Sequence, residues 1–361
     1  MMYYLLLFII LIFFIFMAIF LYKYLIDILK HCKIKLNKHI VYSMLVLSII
    51  SIFGSIVVIF LSTFWSMLSL FILHLSIMSC LIYLLNIFFK KNKLWNKIYI
   101  FLPLLLSTII IIYGYINMHN VVSTSYEVHN NKVNNDYKII LIADLHYGVS
   151  LNNKQLKKYC DEISSLNPDI VILAGDIVDE KTTKKQMQDA IKLIGSIKNN
   201  YGIFFIYGNH DKNTYSRNPK YKTYELISEL NKNKITILEE YMQNINDDIV
   251  LIGRGYDNRL PIEDILERVD TNRFILSVDH IPQEYTINIE NGVNMLLSGH
   301  THAGQIFPVG LIERIFKTSD QIYGIEEHED FAAIVTSGIA GWAMPIRTEK
   351  HSEYVIINLS K

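Results

Sequence analysis

The sequence has few cysteines and, over long stretches, no charged residues. Its 361 residues include three cysteines, Cys32, Cys80 and Cys160, which excludes the dense disulfide framework of a small secreted domain. Residues 1–22, 39–89 and 98–126 contain no Asp, Glu, Lys or Arg. Such stretches exclude both a disordered chain and a wholly soluble protein.

The charges that are present are separated along the chain. Lys+Arg and Asp+Glu number 34 each and cancel. Residues 1–118, however, contain nine Lys and one Asp, a net charge of +8, whereas residues 119–361 carry a net charge of −8. Two regions suited to different surroundings are therefore joined in one chain.

The uncharged stretches predict membrane-spanning helices. A bilayer core is about 30 Å thick and requires about 20 apolar helical residues. One helix over residues 39–89 would be about 76 Å long, so this stretch must fold back, and the polar cluster at residues 62–66 marks the turn. The predicted transmembrane domain, 1–118, therefore has four helices, at about 3–22, 40–61, 67–89 and 98–118.

The lysines predict the orientation of these helices. Five lysines lie between the first and second predicted spans, and four lie between the third and fourth. Because basic loops stay in the cytoplasm, we expect the N-terminus and everything after residue 118 to be extracytoplasmic. The spans contain no arginine and no carboxylate, so they lack the machinery of a transporter or pump.

After the spans the pattern changes. Residues 119–136 are rich in Asn, Ser, His and Val without clear periodicity, which predicts a linker. The domain at 137–361 alternates short apolar runs with helical spacing, and strands dominate its second half. This order predicts an α/β domain of two packed sheets flanked by helices. Strands are expected at 138–143, 169–174, 202–206, 235–238, 249–252, 274–278, 293–297, 331–337 and 354–359, and helices at 151–166, 182–198, 221–231 and 261–269.

Polar residues follow five of the predicted strands. Ligands of α/β domains bind at the carboxyl ends of strands. The residues of interest there are Asp144, His146, Asp176, Asp179, Asn209, His210, His280, His300 and His302.

Seven of these side chains are suitable metal ligands: Asp144, His146, Asp176, Asn209, His280, His300 and His302. Imidazole nitrogens and carboxylate oxygens suit divalent ions of the Mn, Fe or Zn class. Seven donors exceed the need of one ion that keeps positions open for substrate. They fit two ions that share a bridging carboxylate. Such a pair of ions stabilises both the attacking and the leaving oxygen of a phosphoryl displacement.

This ordered set resembles the calcineurin-like metallophosphoesterase superfamily. The resemblance rests on Asp-x-His at 144–146, Gly-Asp-x-x-Asp at 175–179, Gly-Asn-His-Asp at 208–211, His280, and Gly-His-x-His at 299–302. The longer Gly-His-Thr-His-Ala-Gly-Gln at 299–305 is similar to a membrane-anchored bacterial branch, although that branch usually has Gly in place of Ala303. The implied fold is a four-layer sandwich.

The resemblance also implies roles for the site residues. Asp144, His146 and His302 would hold one ion, Asn209, His280 and His300 the other, and Asp176 would bridge them. A hydroxide between the two ions would attack phosphorus in line. His210 would protonate the leaving oxygen, and Asp179 would orient His210.

Two residues near the C-terminus could bind substrate. Trp342 could line the pocket, and Arg347 could bind phosphate through two hydrogen bonds. Equally, they could be a core aromatic residue and a member of a surface ion pair.

The leading hypothesis is a membrane-tethered two-metal phosphoesterase that acts on a phosphodiester or pyrophosphate, with a lipid-linked substrate as one form. A phosphomonoesterase, including a protein phosphatase, is an alternative. A non-catalytic sensor or scaffold is another, but it would predict erosion of the metal set or of His210. The net charge of −8 argues against nucleic acid as a partner. The sequence specifies neither the metal nor an oligomeric state.

Overall fold

The computed structural model describes residues 2–58, 62–257, 259–267 and 269–361. The chain divides into two compact units, Met1–Ile116 and Asn117–Lys361.

The first unit is built from helices. They are α1 (Met2–His31), α2 (Lys38–Val58), α3 (Thr63–Phe89), α4 (Trp95–Ile98) and α5 (Leu102–His119), of which α5 ends in the second unit. Four of them, α1, α2, α3 and α5, are long and apolar enough to cross a membrane, which confirms the four helices expected from the sequence.

The bounds of these helices differ in detail from the predicted spans. Helix α1 continues beyond the expected end at residue 22 as far as His31. The expected end of the second span, at residues 59–61, lies outside the described residues. Ser62 caps α3, because its side chain accepts a hydrogen bond from the Trp65 amide at 3.5 Å. A new helix therefore begins within the polar cluster that predicted a turn.

Among its described residues, the second unit contains two six-stranded mixed sheets, of order β1-β12-β2-β3-β4-β5 and β10-β11-β9-β8-β7-β6. The strands are β1 (Val122–His129), β2 (Tyr137–Ile142), β3 (Ile170–Ala174), β4 (Gly202–Ile206), β5 (Ile235–Ile237), β6 (Tyr241–Asn244), β7 (Ile249–Gly253), β8 (Phe274–Val278), β9 (Met295–Ser298), β10 (Gly324–His328), β11 (Phe331–Val335) and β12 (Glu353–Ser360). Strands β2 to β5 are mutually parallel, as are β7, β8, β9 and β11.

The apolar residues of the strands fill both faces of each sheet. In β2, Ile139 and Leu141 belong to the core between the two sheets, whereas Ile140 and Ile142 pack towards helices. This division follows from the two-residue period of a strand. A strand buried on both faces must be a continuous apolar run, which is why the sequence predicted β2, β3 and β4 well.

Helices cover the outer faces of the sheets. The helices of this unit are α6 (Asn153–Ser165), α7 (Lys184–Ile194), α8 (Thr223–Lys232), α9 (Ile262–Leu266), α10 (Tyr285–Glu290) and α11 (Val309–Phe316). Helices α6 to α8 contribute to the core of the first sheet, and α9 and α10 to that of the second. Capping boxes at Asn152 and Thr183 set the starts of α6 and α7. The predicted architecture of two sheets flanked by helices is confirmed.

The segment expected to be a linker, 119–136, differs from that expectation. It contains β1, which pairs in parallel with β12 from Val122 to His129. Strand β1 lies at the edge of its sheet, and its side chains alternate between partly buried and exposed positions. Such a strand lacks the apolar run that identifies a central strand, so its pairing partner rather than its composition determines it.

Candidate metal centre

The polar residues converge because parallel strands end at a common edge of each sheet. Asp144 and Asp176 lie just after the ends of β2 and β3. Their loops are tied together by backbone hydrogen bonds from the Asp144 amide to the Gly175 carbonyl, at 3.1 Å, and from the His146 amide to the Asp176 carbonyl, at 3.0 Å.

The second sheet supplies the histidines that follow its strands. His280 follows β8, and His300 and His302 follow β9. The His300 amide donates to the Asp144 carboxylate, at 3.0 Å to Oδ2. This hydrogen bond joins the ends of β2 and β9, so residues more than 150 positions apart in sequence meet at one place.

Two groups of donor atoms result. One group comprises Asp144, His146 and His302, and the other comprises Asp176, His280 and His300. Within each group the candidate ligand atoms all lie within 4.8 Å of one another. Asn209 Oδ1 lies 3.1 Å from His280 Nε2 and 3.0 Å from His300 Nδ1, so Asn209 joins the second group.

Asp176 lies between the two groups. Its Oδ2 atom is 3.6 Å from His146 Nε2 and 3.3 Å from His280 Nε2. The amide of His210 donates to the other carboxylate oxygen, Oδ1, at 2.9 Å. One oxygen of Asp176 therefore faces a ring nitrogen of each group, while the second is held by the backbone.

The donor set fits divalent metal ions. His146 is fully buried, and neither of its ring nitrogens has a hydrogen-bond partner among the described residues. The same holds for Nδ1 of His302. Unsatisfied buried nitrogens are costly unless something binds them. Burial also lowers the pKa of both histidines, which favours the neutral imidazole that ligates metals.

His280 is oriented by the backbone and sits in a negative potential. Its Nδ1 donates to the Ala174 carbonyl at 2.8 Å, so Nε2 faces the centre. Burial lowers the pKa of His280, but the charge of Asp176 outweighs burial and raises it to about 10. The same potential would attract a divalent cation.

The backbone is strained at the site. The φ angles of Asp144, His146, Asp176, His300 and His302 are positive, at 55°, 38°, 54°, 71° and 50°. Left-handed conformations at residues other than glycine each cost of order 1–3 kcal/mol and cluster at functional sites. Five strained residues among seven candidate ligands indicate that the fold holds these side chains in place at a cost in stability.

Close backbone packing requires glycine beside Asp176. A Cβ atom at Gly208 would overlap Asp176 Oδ1. Gly175 has a φ of 85° and has room for no side chain, because a Cβ atom there would lie 2.6 Å from His280 Nδ1. The glycines before Asp176 and Asn209 therefore allow the loops of β3 and β4 to meet.

Asp211 has a positioning role that sequence reasoning did not assign. Its fully buried carboxylate accepts hydrogen bonds from the amides of Asp176, Ile177, Val178 and Gly208, at 2.7 to 3.1 Å. It thus fixes the loop that carries Asp176. The sequence did contain a cue to this role, since Asp211 is the last residue of the Gly-Asn-His-Asp motif.

The partner of His210 is Glu180 and not Asp179. His210 Nδ1 lies 2.9 Å from Glu180 Oε2. The Asp179 carboxylate instead accepts hydrogen bonds from the amides of Lys181 and Thr182, at 2.8 and 3.0 Å, and lies 3.7 Å from His146 Nδ1. The expected pairing of Asp179 with His210 is therefore not seen, because the turn at residues 179–182 uses the Asp179 carboxylate.

The charge environment of His210 favours its protonated form. Burial lowers the pKa of His210, but the hydrogen bond to Glu180 and the charges of Asp176 and Asp179 outweigh burial and raise it.

Two aromatic side chains flank His210. The Trp342 ring lies 5.6 Å from the His210 ring and the Tyr215 ring lies 5.3 Å from it, measured between centroids. Both are exposed, by 38% and 61%. Trp342 is therefore placed as a pocket residue would be, and no sequence motif indicated Tyr215.

Arg347 is not at the surface. It is fully buried, and its guanidinium donates to the carbonyls of His302 and Ala340 at 2.7 and 2.6 Å. Neither expectation for Arg347, a phosphate contact or a surface ion pair, matches this position. It supports the loop that carries His302.

The comparisons with known proteins agree with the site. The family model for calcineurin-like phosphoesterases matches residues 137–304. This segment, which contains all the candidate ligands, is therefore similar to the calcineurin-like phosphoesterases, as the motifs predict, and the expected enzyme class, a metal-dependent phosphoester hydrolase, is that of this family.

Relatives include an uncharacterized metallophosphoesterase of Helicobacter pylori, 28% identical over 64% of this chain and 62% of the relative. One of Campylobacter jejuni is 29% identical over 75% of this chain and 73% of the relative. A transmembrane protein with a metallophosphoesterase domain from Danio rerio is 24% identical over 72% of this chain and 62% of the relative. The chain thus matches 62% to 73% of the length of these relatives, and less than two thirds of two of them.

Proposed function

We propose that the chain is a membrane-tethered two-metal phosphoesterase that hydrolyses a phosphodiester or pyrophosphate bond. The observation that carries the proposal is the position of the Asp176 carboxylate between two groups of buried metal ligands. Four helices that are apolar enough to cross a membrane support the tether.

The ligand assignment follows the geometry. Asp144, His146 and His302 would hold one ion, Asn209, His280 and His300 the other, and Asp176 would contact both. Bound ions of the Mn, Fe or Zn class would supply an activated water and neutralise charge on the phosphoryl oxygens. The strained backbone and Asp211 keep the ligands in place.

His210 is the proposed proton donor to the leaving oxygen. With Nδ1 bound to Glu180, its other ring nitrogen is available to a substrate. The His210 amide, bonded to Asp176 Oδ1, fixes the residue beside the metal ligands. Glu180 orients the ring, and Asp179 orients His146 and the turn.

The leaving group would lie between the exposed rings of Tyr215 and Trp342. Aromatic faces at this position offer apolar contact to whatever is attached to the leaving oxygen. Together with the membrane-capable helices, this favours a phosphoester carried on a lipid.

The proposal is tested by turnover of the purified full-length protein with added Mn²⁺, using bis-aryl and mono-aryl phosphate esters. We expect hydrolysis of the diester, and loss of both turnover and bound metal in Asn209→Ala. The matched control is His328→Ala, which removes an exposed histidine outside the site. Full activity in Asn209→Ala would overturn the two-metal mechanism.

Other results favour the alternatives. A clear preference for the monoester would favour a phosphomonoesterase. Bound metal without turnover of any ester would favour a sensor or scaffold.

The orientation is a separate proposal. The lysines within residues 23–38 and 90–97 support a catalytic unit outside the cytoplasm. A reporter that is active only outside the cytoplasm, fused after Lys361, should be active. An active cytoplasmic reporter at the same position would reverse the orientation.

A further inference from the structure

The helix α11 exposes an unusual amount of apolar surface. Its apolar residues and the nearby Phe307 are 42% to 66% exposed in the whole chain. We call this set the α11 surface, and it consists of Phe307, Val309, Leu311, Ile312, Ile315 and Phe316. Contiguous apolar patches on soluble proteins usually mark an interaction site.

The amphipathic character of α11 is inverted relative to an ordinary surface helix. At about 100° per residue, its five apolar residues fall within an arc of about 160°. Gly310, Glu313 and Arg314 fall outside this arc, and Gly310, near the middle of the other side, is buried against the protein. An ordinary surface helix packs its apolar face on the core, whereas α11 presents that face outwards.

The position of α11 is well fixed. The Gly310 amide donates to Glu349 Oε1 at 3.2 Å, and the Phe307 amide donates to Thr348 Oγ1 at 2.9 Å. Gln305, just before α11, binds the carbonyls of Met344 and Ile346 through its side chain at 3.2 and 3.1 Å. Exposure of the apolar face is therefore a property of the folded unit rather than of a loosely attached segment.

Basic side chains lie at the end of the α11 surface. Arg314, Lys317 and Lys350 line a cavity of 530 Å³ together with Tyr323. One carboxylate, Asp320, lines the same cavity, but its Oδ2 accepts a hydrogen bond from the Tyr285 amide at 3.0 Å. Three cations against one hydrogen-bonded carboxylate favour an anionic partner.

This region is also continuous with the end of a membrane-capable helix. Asn117 and Met118 are the two residues before the last residue of α5 and belong to the second unit. The Asn117 side-chain amide donates to the carbonyls of Arg347, at 3.1 Å, and of Lys350. The Met118 carbonyl accepts from Ser352 Oγ at 2.9 Å. Residues 347–350 thus bind both the region of α11 and the end of α5, a helix that is apolar enough to span a membrane.

We infer that the α11 surface docks on the interface of an anionic bilayer, with its apolar residues among the lipid chains and Arg314, Lys317 and Lys350 at the phosphate headgroups. An outward apolar face beside basic residues is the pattern of an interfacial helix. Because α11 follows His302 by a few residues, docking would hold the metal centre near the membrane surface. The inference does not depend on the identity of the substrate.

The test uses the full-length protein, one copy per nanodisc, so that a second copy cannot cover the surface. Nitroxide labels are placed at Ile315→Cys and, as a control, at Tyr224→Cys, an exposed residue of α8, after replacement of the three native cysteines. Collision rates with oxygen and with a water-soluble nickel chelate report immersion. The discs contain equal parts of phosphatidylcholine and phosphatidylglycerol.

We expect the label at residue 315 to be protected from nickel and accessible to oxygen, and the label at residue 224 to be accessible to nickel. In the Ile315→Cys background, replacing Arg314 and Lys317 by Gln should shift the docking equilibrium by about fivefold for each charge. Equal nickel collision rates at residues 315 and 224 would overturn the inference. Protection of residue 315 that does not change with these charges or with phosphatidylglycerol would overturn the role of the basic residues.

Discussion

His210 Nδ1 lies 2.9 Å from the Glu180 carboxylate, although Asp179 is the residue within the Gly-Asp-x-x-Asp motif. The pairing brings a residue outside the motif into contact with the proposed proton donor. It also frees Asp179 to hold the turn and to face His146.

Glu180→Gln tests this pairing. Loss of the carboxylate should lower kcat by about 10- to 100-fold, the range for removal of an orienting partner, because the His210 ring loses its fixed orientation. Metal content, measured by elemental analysis, should be unchanged. Asp179→Asn should instead weaken metal binding through His146. The reverse pattern, with kcat lowered only in Asp179→Asn at full metal content, would restore Asp179 as the partner.

Gly208→Ala tests the close packing beside the Asp176 carboxylate. The added methyl group would overlap Asp176 Oδ1, so we expect a loss of bound metal. Gly292→Ala is the control, because a Cβ atom there meets no atom within 4 Å although its φ is 75°. It should cost about 1 kcal/mol of stability and keep its metal. Equal metal content in both variants would show that the Asp176 loop can move aside.

Asp248 should make the second unit sensitive to acid. Its carboxylate accepts hydrogen bonds from the Tyr137 hydroxyl at 2.7 Å and from the Asn134 amide at 3.0 Å. Burial raises its pKa, but these hydrogen bonds outweigh burial and lower it from 3.8 to about 2. Because the folded pKa is the lower one, this stabilisation is complete above about pH 4 and is lost as the pH falls towards 2.

Asp248→Asn should destabilise the unit by about 2 kcal/mol at neutral pH and flatten the dependence of unfolding on pH between 4 and 2. Chemical denaturation at a series of pH values measures both effects. Asp247→Asn, an exposed neighbour, is the control. An unchanged pH dependence in Asp248→Asn would assign the acid sensitivity to other carboxylates.

Arg347→Lys distinguishes a supporting role from substrate binding. A lysine cannot span both carbonyls that the guanidinium binds, so we expect a loss of about 2 kcal/mol in stability and weaker metal binding through His302. A raised KM with unchanged stability and metal content would instead support phosphate binding by Arg347.

Much of the fold could be predicted from the sequence, because elements that are buried in the core must consist largely of apolar residues. Strands β4 and β8 have the expected bounds, since central strands must be continuously apolar. The strands that were missed, β1, β6 and β10, all lie at sheet edges. Edge strands tolerate polar residues on their open side, so their composition resembles that of a loop.

The candidate site was likewise predictable in part. The ligand types and their order along the chain were readable, because a metal centre needs imidazole and carboxylate groups whatever the surrounding fold. The sequence could not show which carboxylate contacts His210. Asp179 and Glu180 are neighbours, and the geometry of one turn decides where each side chain points. The burial of Arg347 likewise depends on carbonyls contributed by distant loops.

The long uncharged stretches determined by themselves that part of the chain suits a membrane. Burying a charge in lipid is so costly that membrane-spanning helices must consist of apolar residues. The seven candidate metal ligands were also readable from the sequence, because their residue types are those that divalent ions bind. Only the tertiary structure decided that α11 presents its apolar face outwards, because helical periodicity reveals an apolar face but not what lies against it. It also decided the partner of His210, because hydrogen bonds depend on directions that sequence spacing does not specify.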